Sequence, residues 1–258
     1  MQQSQSFMDA LGHGMADKRI DILRQIGLGG SISQAARAVG VSYKAAWQAL
    51  DTLTNLAGVA LVERVVGGVG GGGARITPAG QQLLAAAGAV QQARCAVLAQ
   101  LGEDTGADAA VARLSVRTSM RNQWPCVVQA MESRGQIVRV HLCGLAGAAA
   151  GLGVSSRITR ESAELLGLRP GMPVQALCKA TAVRVLPPGK GPAASASNQW
   201  PGRATRVSRG ELGDEVAAQL DAGVQMVGFA APASGLRARA RVLLAADESA
   251  IVLAVVGA

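Results

Sequence analysis

Ser31-Ile32-Ser33-Gln34-Ala35-Ala36-Arg37-Ala38-Val39-Gly40-Val41-Ser42-Tyr43-Lys44-Ala45-Ala46-Trp47-Gln48 is the stretch on which the reading of this chain turns. It describes two short helices joined by a tight turn. Ser31 or Ser33 supplies the N-cap of the first, because a serine hydroxyl can accept from an otherwise unpaired backbone N–H. In Val39-Gly40-Val41, the glycine can enter the left-handed region without steric cost. Ser42 caps the second helix, where Ala46, Leu50, Leu53 and Ala57 share one face at helical spacing. Ala35 and Ala36 are small enough for the two helices to cross closely. The pattern from Ile32 to Leu56 is that of a helix–turn–helix, whose second helix enters the major groove of DNA. Ser42, Tyr43, Lys44 and Gln48, on its first turns, are the DNA-facing candidates: hydroxyls donate to phosphate oxygens and Lys44 brings charge. Trp47 reads as partly buried packing.

Working outward, Ile20, Leu23 and Ile26 recur at helical spacing upstream. Downstream, Leu61 to Val66 is strand-like, Gly67 to Gly73 is nearly all glycine, and Ala74-Arg75-Ile76-Thr77 resumes as a strand. This hairpin is a wing, with Arg64 and Arg75 placed to reach phosphate or the minor groove. Pro78 opens a long helix, a favoured position for proline. Leu83, Ala87, Val90, Val97 and Leu101 repeat along it, with Arg94 interrupting. That stripe serves dimerisation or packs the helix on its own domain.

The 258 residues suffice for two or three small domains. Glu103 to Ala110 and the Pro/Gly-rich Leu186 to Ser195 read as linkers, dividing the chain into 1–102, 111–186 and 195–258. A net charge of +8 favours a polyanionic partner or an anionic ligand, unless it reflects only an arginine-rich genome composition. The hydrophobic 49% is largely Ala and Val, with no uncharged run long enough to span a bilayer. With no secretory leader pattern at the start, a cytoplasmic protein is expected. Cys95, Cys126, Cys143 and Cys178 form no C-x-x-C pair, so reduced thiols are expected rather than a metal site. Gly189-Lys190-Gly191 lacks the hydroxyl residue of a phosphate-binding loop, and no nucleophile–base pair stands out. The chain does not read as an enzyme.

The remainder is β-rich and internally repeated. Arg121-Asn122-Gln123-Trp124-Pro125 is matched by Ser197-Asn198-Gln199-Trp200-Pro201, and Leu177 to Val183 aligns with Ala245 to Ile251. A domain of roughly 60 to 70 residues has been duplicated.

The segments Ser31–Ala36, Val41–Trp47, Leu61–Arg64 and the glycine-rich wing ending at Thr77 resemble the N-terminal domain of the ModE family of molybdate-responsive regulators. The resemblance extends over about residues 18 to 256; Val69 departs from it where the family often carries a lysine among the wing glycines. It implies an α+β multidomain protein: a winged helix-turn-helix with a long dimerisation helix, then two small five-stranded barrels of the oligonucleotide/oligosaccharide-binding type (Mop, or TOBE, domains). It also implies a homodimer on double-stranded operator DNA and molybdate as ligand, with tungstate as substitute. A tetrahedral dianion stripped of water needs many hydrogen-bond donors and a cation or two. By resemblance these are Ser119, Arg121, Thr159, Ser162 and Lys179, where Thr159 and Ser162 open a short helix whose N–H groups also favour anions. In the family the site lies between subunits, so the Thr/Ser pair and the Ser/Arg/Lys set need not come from one chain. The second copy has Ser197 for Arg121, Asp247 for Lys179, and Ala230 and Ala233 for Thr159 and Ser162, so no equivalent site is expected there. The alternatives are a winged-helix regulator sensing another small oxyanion and an intracellular molybdate store.

Overall fold

The computed structural model describes residues 18–65, 73–101, 118–145, 151–187 and 197–255. The tip of the wing, the first linker and nearly all of the second lie outside them. By contact the chain divides into two units: residues 1–115 with 161–168 and 257–258, and residues 116–160 with 169–256.

In the first unit, helices α1 (Lys18–Gly29), α2 (Ile32–Val39) and α3 (Tyr43–Ala57) precede a hairpin of β1 (Val62–Val65) and β2 (Gly73–Ile76), and α4 (Pro78–Leu101) follows. The α2 cap is Ser31, whose hydroxyl accepts from the Gln34 N–H. Gly40 sits at φ +70°, and the Val41 N–H closes the turn on the Ala36 carbonyl at 3.0 Å. Ser42 then caps α3 by accepting from the Ala45 N–H at 3.2 Å. Ala35, Ala36, Ala45, Ala46 and Ala49 are buried in the crossing, and Ile22, Leu23 and Ile26 of α1 are wholly inside. Each of those large side chains contributes about 1.5–3 kcal/mol of burial. Leu83 and Leu84 of α4 pack on this same core, whereas Val90 further along is exposed. The near half of the helix therefore packs on its own domain. The side chains of Arg94, Val97 and Leu101 are outside the described set.

The second unit carries both repeats. The first copy supplies β3 (Asn122–Arg134), β4 (Ile137–Gly144), β5 (Gly153–Thr159), a short helix α5 (Arg160–Leu166), β6 (Pro173–Cys178) and β7 (Arg184–Leu186). Residues 161–168, which hold most of α5, belong by their contacts to the first unit. The second copy supplies β8 (Asn198–Ser208), β9 (Asp214–Leu220), β10 (Gln225–Ala230), β11 (Arg241–Ala246) and β12 (Ile251–Ala254). The duplication is visible in the registers: Asn122 pairs with Cys178 as Asn198 pairs with Ala246. The copies exchange their last strands. β7 joins the closed barrel β10-β7-β11-β8-β9, and β12 joins the five-stranded sheet β12-β6-β3-β4-β5.

One residue pair decides how each sheet closes. A Cβ on Gly228 of β10 would fall 2.7 Å from the Val183 carbonyl oxygen, so only glycine admits this approach. The Phe229 N–H then reaches that carbonyl at 2.8 Å and the barrel closes through backbone. The equivalent residue of β5 is Ser156, wholly buried, and its hydroxyl donates to the Ile251 carbonyl of β12 at 2.7 Å. Here the two edge strands of the first sheet are held by a side chain. The expected pair of five-stranded barrels is thus one closed barrel and one sheet stapled across its edges.

Candidate oxyanion site and nucleic-acid interface

The N-terminal end of α3 gathers three of the residues singled out for DNA. Ser42 is spent on the cap, and Tyr43 is 54% exposed, its ring edge-on to Trp47 at 6.3 Å. Trp47 is partly buried against the core. Lys44 is largely exposed, with its Nζ 2.8 Å from Glu161 Oε1 of α5. The Ser42 N–H donates to Glu164 Oε2 of the same helix at 2.9 Å. Gln48 is half-buried, one turn on. Arg75 is exposed on β2, 3.6 Å from Glu63 across the hairpin. Arg64 lies on β1 opposite Ala74, but its side chain is outside the described residues.

The oxyanion candidates fall into two groups. Asn122 and Cys178 form the outermost pair of β3 and β6, so Arg121 and Lys179, one step beyond on each strand, leave the sheet side by side. Both are exposed, and Ser119 stands exposed two residues before Arg121. The Arg121 guanidinium reaches Glu215 of β9 at 2.7 Å, and Arg206 shares that carboxylate at 3.1 Å. Thr159 is at the opposite end: Arg134 closes β3 against Ile137, and Ile137 pairs with Thr159. β3 has 13 residues, which at about 3.3 Å each gives roughly 40 Å of strand path between the groups. Within one chain the Ser119–Arg121–Lys179 set and Thr159 do not converge on one small anion.

The second copy fills the corresponding positions with its own carboxylates. Ser197 accepts from the Glu248 N–H at 3.2 Å. Asp247, in the place of Lys179, accepts from the Ser249 N–H at 2.8 Å and faces Arg157 at 3.3 Å. Glu248, buried, takes both Arg139 Nε at 2.7 Å and Arg139 Nη2 at 3.1 Å. The strand register also corrects one equivalence. Asn198 clamps Ser155 as Asn122 clamps Val227, which puts Ala231, not Ala230, opposite Thr159. Three residues on stands Ser234, not Ala233, so a hydroxyl survives. It is occupied: the Ser234 N–H and Oγ–H both donate to Asp214 Oδ2, at 3.0 and 2.7 Å, with Arg209 on the same oxygen. These donors, foremost the Ser234 hydroxyl and then the Ser234 N–H and Arg209, outweigh burial and hold the Asp214 carboxyl down at about 2.

The shared N-Q-W-P segment, in sequence only a landmark of the duplication, has a structural task. Asn122 makes a two-way clamp on the Val227 backbone at 2.8 Å, and Asn198 does the same to Ser155 at 2.8 and 2.7 Å. Trp200 donates to the Gly153 carbonyl at 2.8 Å, and the Trp124 and Trp200 rings meet at 5.9 Å. The segment locks one copy onto the other. Its identity in both copies, while the ligand candidates differ, was the available signal. Glu215, Glu161 and Glu164 carried no sequence signal, since their partners are distant in the chain. Among the described residues, no group of three His, Cys, Asp or Glu is placed to hold a metal ion. No helix among them is long and apolar enough to cross a membrane.

Comparison with known proteins matches residues 18–81 to the bacterial regulatory helix-turn-helix proteins of the lysR family. Residues 118–185 match the TOBE domain. The chain is 35% identical over 218 residues to the molybdenum-pterin-binding protein MopB of Rhodobacter capsulatus, covering 84% of this chain and 79% of that protein. It is 36% identical over 211 residues to the DNA-binding transcriptional dual regulator ModE of Escherichia coli strain K12, covering 80% and 79%. With the molybdenum transport protein ModE of Azotobacter vinelandii the figures are 37% over 224 residues, 83% and 80%. A solved structure of the cytoplasmic molybdate-binding protein ModG superposes with a TM-score of 0.49 at 26% identity, over 54% of this chain and 99% of that one.

Proposed function

The chain belongs to the ModE family, and from that premise we propose that it is a molybdate-responsive transcriptional regulator, binding operator DNA as a homodimer and controlling genes of molybdenum uptake and use. The observation that carries the ligand half is the parting of the donor groups. Ser119, Arg121 and Lys179 gather at one end of β3, Thr159 at the other, with Ser162 three residues on. Two-fold pairing of chains brings one end against its opposite in the partner, so a dimer builds two shared sites where a monomer has none. Two cations and several hydroxyls suit a desolvated tetrahedral dianion. Tungstate, of equal charge and nearly equal size, substitutes; sulfate, with shorter bonds, fits poorly. The protein acts by binding, without catalysis, in the cytoplasm.

Calorimetric titration with molybdate, tungstate and sulfate tests this. Saturable heat from the first two and none from sulfate is the expected result. Heat from sulfate instead favours a regulator of another oxyanion; no heat from any of them removes the ligand half.

A further inference from the structure

We propose that α5 is a latch on the DNA-reading helix: the carboxylates of Glu161 and Glu164 occupy the places DNA phosphates take at the start of α3. Two kinds of group there suit phosphate, a helix N-terminal N–H and an ammonium. Both are engaged by carboxylates. The Ser42 N–H donates to Glu164 at 2.9 Å, and Lys44 meets Glu161 at 2.8 Å. Glu161 is buried, at 5% exposure, although removing a carboxylate from water is costly unless it is paired. Leu165, also 5% exposed, is part of the hydrophobic core that holds α1, α2 and α3. The helix is therefore docked by an apolar anchor and aimed by two charges. DNA must displace it to reach Lys44.

The latch also has a handle. Ser162 lies between Glu161 and Glu164 in sequence, and Thr159 just before them. This step rests on the reading of Thr159 and Ser162 as half of an oxyanion site. A dianion captured there joins Thr159 and Ser162 to the Arg121 and Lys179 set of the second chain, and this new partner for the start of α5 competes with its docking on α3. Molybdate then releases α3 and strengthens DNA binding.

The test is fluorescence anisotropy of the full chain on a labelled mixed-sequence duplex of about 30 base pairs, roughly three helical turns, at low salt. Glu161→Gln with Glu164→Gln tightens binding about 5- to 20-fold without molybdate. Leu165→Ala, which undocks the helix without changing a charge, tightens it likewise. Glu211→Gln with Asp221→Asn, matched in charge and both in the second copy, stays within about twofold of wild type, as surface charges screened by salt should. Molybdate tightens the wild type and leaves the Glu161/Glu164 variant unchanged, although calorimetry still registers molybdate on that variant. Equal affinity of wild type and both latch variants overturns the latch, as does a molybdate response that persists in the Glu161/Glu164 variant. If tightened variants are found with a wild type that gives no molybdate heat, the latch stands and the anion reading falls. If no protein binds the duplex, the DNA reading falls and takes the latch with it.

Discussion

At the outer end of β3 the first copy presents Arg121 beside Lys179; at the equivalent end of β8 the second presents Ser197 beside Asp247. Where the first copy has Ser162 beyond the end of β5, the second has Ser234 with both its donors already on Asp214. The two copies fold on one register, clamp each other with the same asparagines and trade the same strand. They diverge in what meets the donors. In the second copy Ser234 meets Asp214 and Asp247 stands where the first copy has Lys179, so carboxylates of the chain itself hold those positions. A duplicated scaffold can thus keep exposed cations at one end of the first copy and place carboxylates at the equivalent positions of the second.

Removing the first copy's cations is the severest challenge to that contrast. Arg121→Ala with Lys179→Ala weakens molybdate binding at least about 100-fold in calorimetry, since each charge-assisted hydrogen bond contributes about 1.5–3 kcal/mol. Ser197→Ala with Asp247→Ala leaves it within about twofold, being away from any ligand. The closure devices come next. Gly228→Ala lowers stability by about 2–3 kcal/mol in urea denaturation, because the new methyl group meets the Val183 carbonyl and two valine side chains. Ser156→Ala, which loses one buried hydrogen bond, costs about 1 kcal/mol. A smaller effect separates the two serines: Ser162→Ala weakens molybdate about 5- to 10-fold, whereas Ser234→Ala leaves it unchanged, one neutral hydrogen bond being at stake.

The smallest effect is on pH. Asp214 titrates at about 2 in the folded protein, below the ordinary value of about 3.9. A carboxyl lowered by folding stabilises the protein above its unfolded value, and that contribution fades as pH falls from about 4 towards 2. Asp214→Asn should flatten the acid side of the melting-temperature profile over that window; an unaltered slope would remove Asp214 from the account.

The helix–turn–helix was legible because its signals are local: a capping serine, a glycine at the turn, alanines where helices cross. The duplication was legible from the shared Asn-Gln-Trp-Pro and from the match of Leu177–Val183 with Ala245–Ile251. The strand exchange was not, since β7 and β12 read as strands whichever sheet they join, and only the Gly228–Val183 approach and the Ser156–Ile251 bond reveal their partners. The oxyanion candidates came from family register alone, and their separation along β3 needs the pairing of Ile137 with Thr159. The shift from Ala230 and Ala233 to Ala231 and Ser234 has the same origin. Counting back from a distant landmark misses a residue that the clamp at Ser155 and Val227 fixes.

The shared site is tested most directly by mixing two crippled proteins. One carries Arg121→Ala with Lys179→Ala, the other Thr159→Ala with Ser162→Ala, and at a molybdate concentration that just saturates the wild type each alone binds little. After subunit exchange, half of the dimers are mixed and each has one intact site, so roughly a quarter of wild-type binding capacity returns. A mixture that stays silent despite verified exchange would contradict a site built from two chains.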